Sequence, residues 1–178
     1  MRTYHCYIVL LSLFGLVLAG CNTSNTQAAL SNEEKARAFV QTLGTTILTE
    51  EGEISRYTMN EEMLRDLSYM QLWAVQDDNP EAYLDREIVT YGFIIDHHPL
   101  EQRYAAIYEE NEYETYVMIM IVDGKVIGGG SVAKSMKIPD LVIAGGYSAV
   151  DGRTMEEVSG MEYAEWFADW KAKYGHPQ

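Results

Sequence analysis

Two segments in the first half of the chain carry apolar residues at helical spacing. The first predicts a helix that begins with a capping box at Ser31 and ends at about Thr46. Its apolar positions are Phe39, Val40, Leu43 and Ile47. After the polar stretch TEEGEIS, the second segment predicts a helix that Asn60 caps and that closes near residues 77–80. Its apolar positions are Met63, Leu64, Leu67, Met70 and Trp73 or Ala74.

The pattern then becomes typical of strands. Residues 87–95, the shorter segment 104–108 and residues 141–144 are rich in β-branched and aromatic residues, and each predicts a strand. Residues 113–122 and 125–132 predict a hairpin, because Asp-Gly between two apolar runs is the strongest short-range hairpin signal. In TYVMIMIV both faces of the strand are apolar, which predicts a central strand covered on both sides by helices or by a second subunit.

The last part of the chain predicts a helix with an aromatic face. A second capping box begins at Thr154, and after Gly160 a C-terminal helix extends to Gly175. The aromatic positions of that helix are Tyr163, Trp166, Phe167, Trp170 and Tyr174. Such a stripe is more often core packing against a sheet, although Tyr163, Trp166, Phe167 and Trp170 are also the candidate ligand or interface face.

Together these elements predict one α+β domain over residues 31–178. It would contain N-terminal helices, a mostly antiparallel sheet of about four or five strands, and a C-terminal helix packed on the sheet. Within it, GGGSVAKS at residues 128–135 is one residue short of a phosphate-binding loop, because Ala133 stands where that loop needs glycine. The three glycines instead predict a bulge or a close approach of another group, with the C-terminal helix as one candidate neighbour.

The N-terminal residues predict the compartment. MRTYHCYIVLLSLFGLVLAGC carries a positive charge at Arg2, an apolar run over about residues 7–18 and small residues before Cys21, which is typical of an export signal. Leu18-Ala19-Gly20-Cys21 resembles the lipobox of bacterial lipoproteins. That resemblance implies cleavage of residues 1–20, a lipid on Cys21 and an anchor in the cell membrane on the extracytoplasmic side. The polar residues 21–30 predict a flexible tether.

The chain as a whole is similar to small uncharacterised lipoproteins of Gram-positive bacteria. The similarity covers a lipobox, a tether and a small α+β domain with a DGKVIGG hairpin. It implies a location and carries no catalytic residue. Of the two cysteines, Cys6 would leave with the signal and Cys21 would be lipidated, so no thiol remains for a disulfide or a nucleophile.

The net charge and the candidate catalytic residues reduce the number of possible functions. The formal net charge of −14 disfavours binding to nucleic acid, whose phosphates require Lys and Arg. Asp96, His97 and His98 form the histidine cluster of the predicted domain and are a candidate metal or acid–base site, although adjacent histidines on a strand point to opposite faces. We therefore expect a non-enzymatic domain, without a cofactor, that binds a protein or a small molecule beside the sheet, with homodimerisation as one option. The alternative is a hydrolase that uses His97 or His98 with nearby carboxylates.

Overall fold

The computed structural model describes residues 29–109, 112–138, 141–142 and 146–175. The predicted signal peptide, Cys21 and most of the predicted tether lie outside the described residues. Among the helices that are described, none has the length and apolar character needed to cross a membrane.

The centre of the molecule is a four-stranded antiparallel sheet in which the strands follow one another in chain order. The strands are β1 (Thr46–Thr58), β2 (Glu87–Asp96), β3 (Tyr113–Val122) and β4 (Lys125–Ser135). Helices precede and follow the sheet and also lie in the connections between β1 and β2 and between β2 and β3, and the predicted α+β class is confirmed. The helices are α1 (Asn32–Thr42), α2 (Leu67–Trp73), α3 (Pro99–Arg103), α4 (Ala105–Tyr108), α5 (Met155–Ser159) and α6 (Tyr163–Tyr174), with short 3-10 helices at Met63–Arg65 and Pro80–Tyr83.

The predicted hairpin and the predicted central strand are both confirmed. Asp123 and Gly124 join β3 to β4 with φ of 47° and 73°, the positive values that a type I′ turn requires. On one face of β3, Val117, Ile119 and Ile121 are buried in a cluster with residues of α1. On the other face, Met120 and Val122 pack with α2 and α6. Helices thus cover both sides of β3, and α6 packs on the sheet as expected.

The first predicted helix is too long. The α1 helix begins with the predicted capping box at Ser31 but ends at Thr42, because Gly44 takes φ of 76° and turns the chain away from the helix. The stretch TEEGEIS lies inside β1 instead of forming a break. Since β1 is an edge strand with most positions exposed on both faces, its sequence lacks the apolar alternation that predicts a strand.

Two further predictions need correction. The helix predicted from Asn60 is divided, because Asp66 is extended and caps α2 by accepting from the backbone N–H of Ser68 at 2.8 Å. The strand predicted over residues 104–108 is the short helix α4, in which the N–H of Tyr108 donates to the carbonyl of Tyr104. Two alanines in succession, at positions 105 and 106, favour the helix there.

The chain after β4 returns along the outer edge of that strand. Val142 forms an antiparallel bridge with Lys134, and Ser148 exchanges two backbone hydrogen bonds with Ser131 at 2.8 and 3.0 Å. Residues 141–142 thus agree with the beginning of the strand predicted at 141–144, whose last two residues lie outside the described part of the chain.

The glycine-rich stretch is part of β4. Met120 pairs with Gly128 and Ile121 pairs with Val126, which leaves one extra residue and confirms the predicted bulge. The close neighbour differs from the expected one: a Cβ on Gly128 would lie 2.2 Å from Oε1 of Gln76, not against α6. Because GGGSVAKS continues as a strand and does not turn into a helix, it lacks the geometry of a phosphate-binding loop.

Candidate functional site

The aromatic residues of α6 form a ladder along one side of the helix. The ring centroids of Trp166 and Trp170 lie 5.2 Å apart, and those of Trp170 and Tyr174 lie 4.5 Å apart. Trp170 is buried and donates its indole N–H to the carbonyl of Leu64 at 3.0 Å, so it fixes the helix to the core. Trp166 and Tyr174 are only half-buried, and each leaves part of its ring accessible.

A cavity of about 360 Å³ opens between α6 and the chain that follows α2. We call it the aromatic pocket. Its walls consist mainly of four aromatic residues, three aspartates and one lysine. These are Trp73, Asp77, Asp78, Trp166, Asp169, Trp170, Lys173 and Tyr174. A volume of this size suits a small organic ligand.

The three aspartates of the aromatic pocket differ in their bonding partners. Asp77 forms an ion pair with Arg153 at 2.9 Å, and Asp78 accepts a hydrogen bond from the hydroxyl of Tyr83. Burial and this hydrogen bond raise the pKa of Tyr83 to about 12. Asp169, in contrast, has no hydrogen bond or ion pair with any residue in the described part of the chain.

Lys173 is the cation of the aromatic pocket, and it is already engaged. Its ammonium lies 3.1 Å from a carboxylate oxygen of Glu81 and 5.0 Å from the ring centroid of Tyr174. Contact with Tyr174, followed by the interaction with Glu81, raises the pKa of Lys173. The lysine therefore stays charged, and its ion pair is with Glu81 and not with Asp169.

A second cavity of about 160 Å³ lies between α2, α5 and residues 146–148. We call it the tyrosine pocket. Its lining includes Tyr104, Tyr147, Glu156 and Tyr163, and it shares Trp166 and Ala74 with the aromatic pocket. Burial raises the pKa of Tyr147, so its hydroxyl remains a neutral donor at physiological pH. Because the two cavities share residues, they are neighbours, and we refer to them together as the groove.

Comparisons with protein-family models, curated proteins and solved structures found no match to this chain. Only the residues of the chain itself therefore bear on its function. Among them, the groove is the feature that concentrates aromatic surface, carboxylates and enclosed volume in one place.

Residues 148–152 hold one side of the tyrosine pocket in position. The hydroxyl of Ser131 donates to the carbonyl of Ala149 at 2.8 Å. Arg103 donates to the carbonyl of Gly152 at 2.7 Å, and its guanidinium also lies 3.2 Å from Glu157 of α5. These contacts connect the wall of the pocket to β4, α3 and α5, which favours a pocket that is formed before any ligand binds.

His98 has a structural position. It is buried, its Nδ1 accepts from the backbone N–H of Leu100 at 3.3 Å, and its Nε2 lies 3.0 Å from the carbonyl oxygen of Val150. A carbonyl can only accept, so Nε2 carries the proton and the ring is neutral. Burial lowers the pKa of His98, in agreement with this tautomer. Neither ring nitrogen is left for a metal ion or a substrate.

His97 is exposed and lies apart from the groove lining. Its backbone has φ of 65°, and its Nδ1 lies 3.7 Å from Asp96 and 3.4 Å from the hydroxyl oxygen of Thr46. Within the described ranges, no group of three or more His, Cys, Asp or Glu residues could hold a metal ion. The geometry around Asp96, His97 and His98 therefore does not favour the hydrolase alternative.

The candidate ligand residues of α6 are only partly brought together. Tyr163 lines the tyrosine pocket, Trp170 lines the aromatic pocket, and Trp166 lines both. Phe167 stacks on Tyr163, with ring centroids 5.8 Å apart, and packs against the core. Sequence reasoning did not identify Trp73 or Tyr147 as groove residues. The only signal was their aromatic character, since both are far from α6 along the chain.

Proposed function

We propose that the protein is a lipid-anchored extracytoplasmic lipoprotein whose domain binds a ligand in the groove and catalyses no reaction. The lipobox residues 18–21 support the anchor. Two or three acyl chains give stable membrane attachment, whereas one chain is marginal. The tether at residues 21–30 would hold the groove away from the lipid surface, where soluble ligands can reach it.

The observation that carries the binding role is the junction of two cavities at Trp166. Ligand sites are concave, mostly apolar and aromatic, and contain a few polar groups that orient the ligand. The groove has this composition, since rings from α2, α6 and residues 146–148 surround a small number of carboxylates and hydroxyls. A nucleophile is commonly activated by an adjacent base, and neither His97 nor His98, the histidines in the described part of the chain, offers a ring nitrogen in the groove.

The edge of the sheet is a poor surface for homodimerisation. Three register shifts interrupt the pairing of β1 with β2, and Gly52 takes φ of 73° in the middle of β1. Charged side chains also line this strand, where Glu50 and Glu53 form ion pairs with Arg37 and Arg56, and such charges disfavour pairing with the edge of another sheet. We therefore favour the groove, rather than this edge, as the surface that contacts a partner.

The anchor is tested by replacing each cysteine in turn. We expect the wild type and Cys6→Ala to incorporate a fatty-acid label and to sediment with membranes. Cys21→Ala should take up no label, because the thioether needs the Cys21 sulfur. Labelling of Cys21→Ala equal to that of the wild type would refute the anchor and leave the groove untouched.

The binding role is tested with a library of small compounds screened by thermal shift. We expect at least one compound to raise the melting temperature of the wild type, because a ligand that binds only the folded state stabilises it. The rise should disappear in Trp166→Ala and persist in Leu48→Ala, which changes an exposed residue of β1. Stabilisation that survives Trp166→Ala would place the ligand outside the groove.

A further inference from the structure

Trp166, Asp169 and Lys173 follow one another on α6 at intervals of three and four residues. Such positions lie on one side of a helix, and all three residues line the aromatic pocket. The surface that α6 presents to this pocket therefore combines an accessible indole ring with a carboxylate that has no partner among the described residues.

The charge balance of the aromatic pocket favours a cation. Asp77 and Asp78 already have a guanidinium and a hydroxyl as partners, and Lys173 is paired with Glu81. Among the described residues Asp169 has no ion pair, and the hydroxyl of Tyr83 binds Asp78 without neutralising its charge. The whole chain has a formal net charge of −14, so an anionic ligand would approach against repulsion and a cationic ligand would be attracted.

Aromatic rings supply the second attraction. Organic ammonium ions bind to the negative face of Trp or Tyr rings within about 6 Å of the centroid. The chain itself contains such a contact at the rim of the pocket, where the Lys173 ammonium lies 5.0 Å from the centroid of Tyr174. Trp166 is half-buried and is not engaged with a cation in the described part of the chain, so its ring can accept one from solution.

We propose that the aromatic pocket binds a small organic ammonium ion, with Trp166 in contact with the cationic head and Asp169 balancing its charge. This inference rests on the proposed binding function and adds the chemical class of the ligand. A cavity of about 360 Å³ accommodates a compact molecule with a trimethylammonium or primary ammonium group. A lysine side chain of a basic peptide carries related chemistry, and the experiment separates it from the small molecule.

Calorimetric titration of the full lipoprotein in detergent with choline tests the proposal. The matched control compound is 3,3-dimethylbutan-1-ol, which has the same shape as choline without the charge. We expect choline to bind at least about tenfold more tightly than this alcohol, as one or two cation–π contacts and a carboxylate would provide. We also expect its affinity to fall as salt is raised. Equal affinity for the two compounds would overturn the proposal while leaving the groove as a binding site.

Three variants locate the binding. Trp166→Leu keeps an apolar side chain without a ring face, and we expect it to weaken choline binding about tenfold but to leave the alcohol nearly unaffected. Trp166→Phe should retain part of the choline affinity. Asp169→Asn should weaken choline binding about threefold and remove most of the salt dependence. As a control, Leu48→Ala changes an exposed residue of β1 outside the groove and should bind choline like the wild type.

Three results would contradict the assignment to a small ammonium ion. If choline bound to Trp166→Leu as tightly as to the wild type, the cation would not lie on that ring. If the peptide Gly-Lys-Gly bound in the same titration and choline did not, the pocket would be a site for basic peptides. If a library compound required Trp166 for binding and neither choline nor the peptide bound, the proposed function would be preserved and the ammonium ligand rejected.

Discussion

The side-chain amide of Gln76 pairs with the backbone of Gly129 in both directions. Oε1 of Gln76 accepts from the Gly129 N–H at 2.9 Å, and Nε2 donates to the Gly129 carbonyl at 2.7 Å. Two residues further along the same edge of β4, the backbone of Ser131 exchanges equivalent hydrogen bonds with the backbone of Ser148. Gln76 therefore takes the place of one residue of a neighbouring strand, and it connects the chain that forms the aromatic pocket to the sheet.

Replacing Gln76 should destabilise the whole domain. Gln76→Leu retains most of the side-chain volume but leaves a buried N–H and a buried carbonyl of Gly129 without these partners. We expect a loss of about 2 kcal/mol in the free energy of unfolding. Chemical denaturation followed by tryptophan fluorescence measures the loss. Gln71→Leu, on the neighbouring helix α2, is the control and should change stability by less than about 0.5 kcal/mol. Equal stability of the wild type and Gln76→Leu would refute the structural role of this pair.

The hydroxyl of Tyr57 offers the opposite case. It is buried and has no hydrogen-bond partner in the described structure, and burial raises its pKa. Because the hydroxyl is desolvated without compensation, Tyr57→Phe should leave stability unchanged or raise it by up to about 1 kcal/mol. Tyr108→Phe is the matched comparison, since the hydroxyl oxygen of Tyr108 lies 2.9 Å from that of Thr115. This variant should lose about 1 kcal/mol in the free energy of unfolding. A marked loss in Tyr57→Phe would mean that its hydroxyl has a partner.

Stability should depend on pH through His98. Burial lowers the pKa of His98 in the folded protein, so below its ordinary pKa of about 6.5 the unfolded chain binds a proton that the folded chain does not. The contribution of neutral His98 to stability is fully present above about pH 6.5. It is lost as the pH falls toward the pKa of His98 in the folded protein, and the free energy of unfolding decreases by at most about 1.4 kcal/mol per pH unit. Glu101, Asp151 and Arg103 are the charged groups that act on this imidazole.

Unfolding free energies at about pH 7.5 and about pH 5.5 measure this dependence. His98→Asn keeps an acceptor at the start of α3 and removes the titrating ring, so the loss of stability between the two pH values should be smaller than in the wild type. His97→Asn removes the neighbouring, exposed ring and serves as the matched control. An undiminished loss in His98→Asn would show that other groups are responsible.

Local signals explain the parts of the fold that the sequence predicts. The β3–β4 hairpin follows from Asp123-Gly124, and the starts of α1 and α5 follow from capping boxes at Ser31 and Thr154. In each case a few adjacent residues determine the local backbone geometry or form its hydrogen bonds, so the element can be predicted without knowledge of distant contacts. The same holds for Gly175, which ends α6.

The features that were missed depend on distant contacts. The edge strand β1 has neither face well buried, and its identity as a strand follows from pairing with β2. In the groove, Trp73 and Tyr147 meet the aromatic face of α6 only after the sheet brings their segments together. The sequence therefore predicts the aromatic stripe of α6 but not the cavities that the stripe lines. The spacing of residues along one helix does not show which other segments pack against it or where a cavity remains between them.

The most direct test of the groove as the ligand site is the indole N–H region of the ¹⁵N–¹H NMR spectrum. The chain contains three tryptophans, Trp73, Trp166 and Trp170, and all three line the groove. We predict that compounds which bind the protein, from a set of ammonium, guanidinium, carboxylate and neutral aromatic fragments, shift the Trp166 indole signal and leave the backbone amides of β1 unchanged. Binding that shifts the amides of residues 96–98 while all three indole signals stay in place would contradict the account.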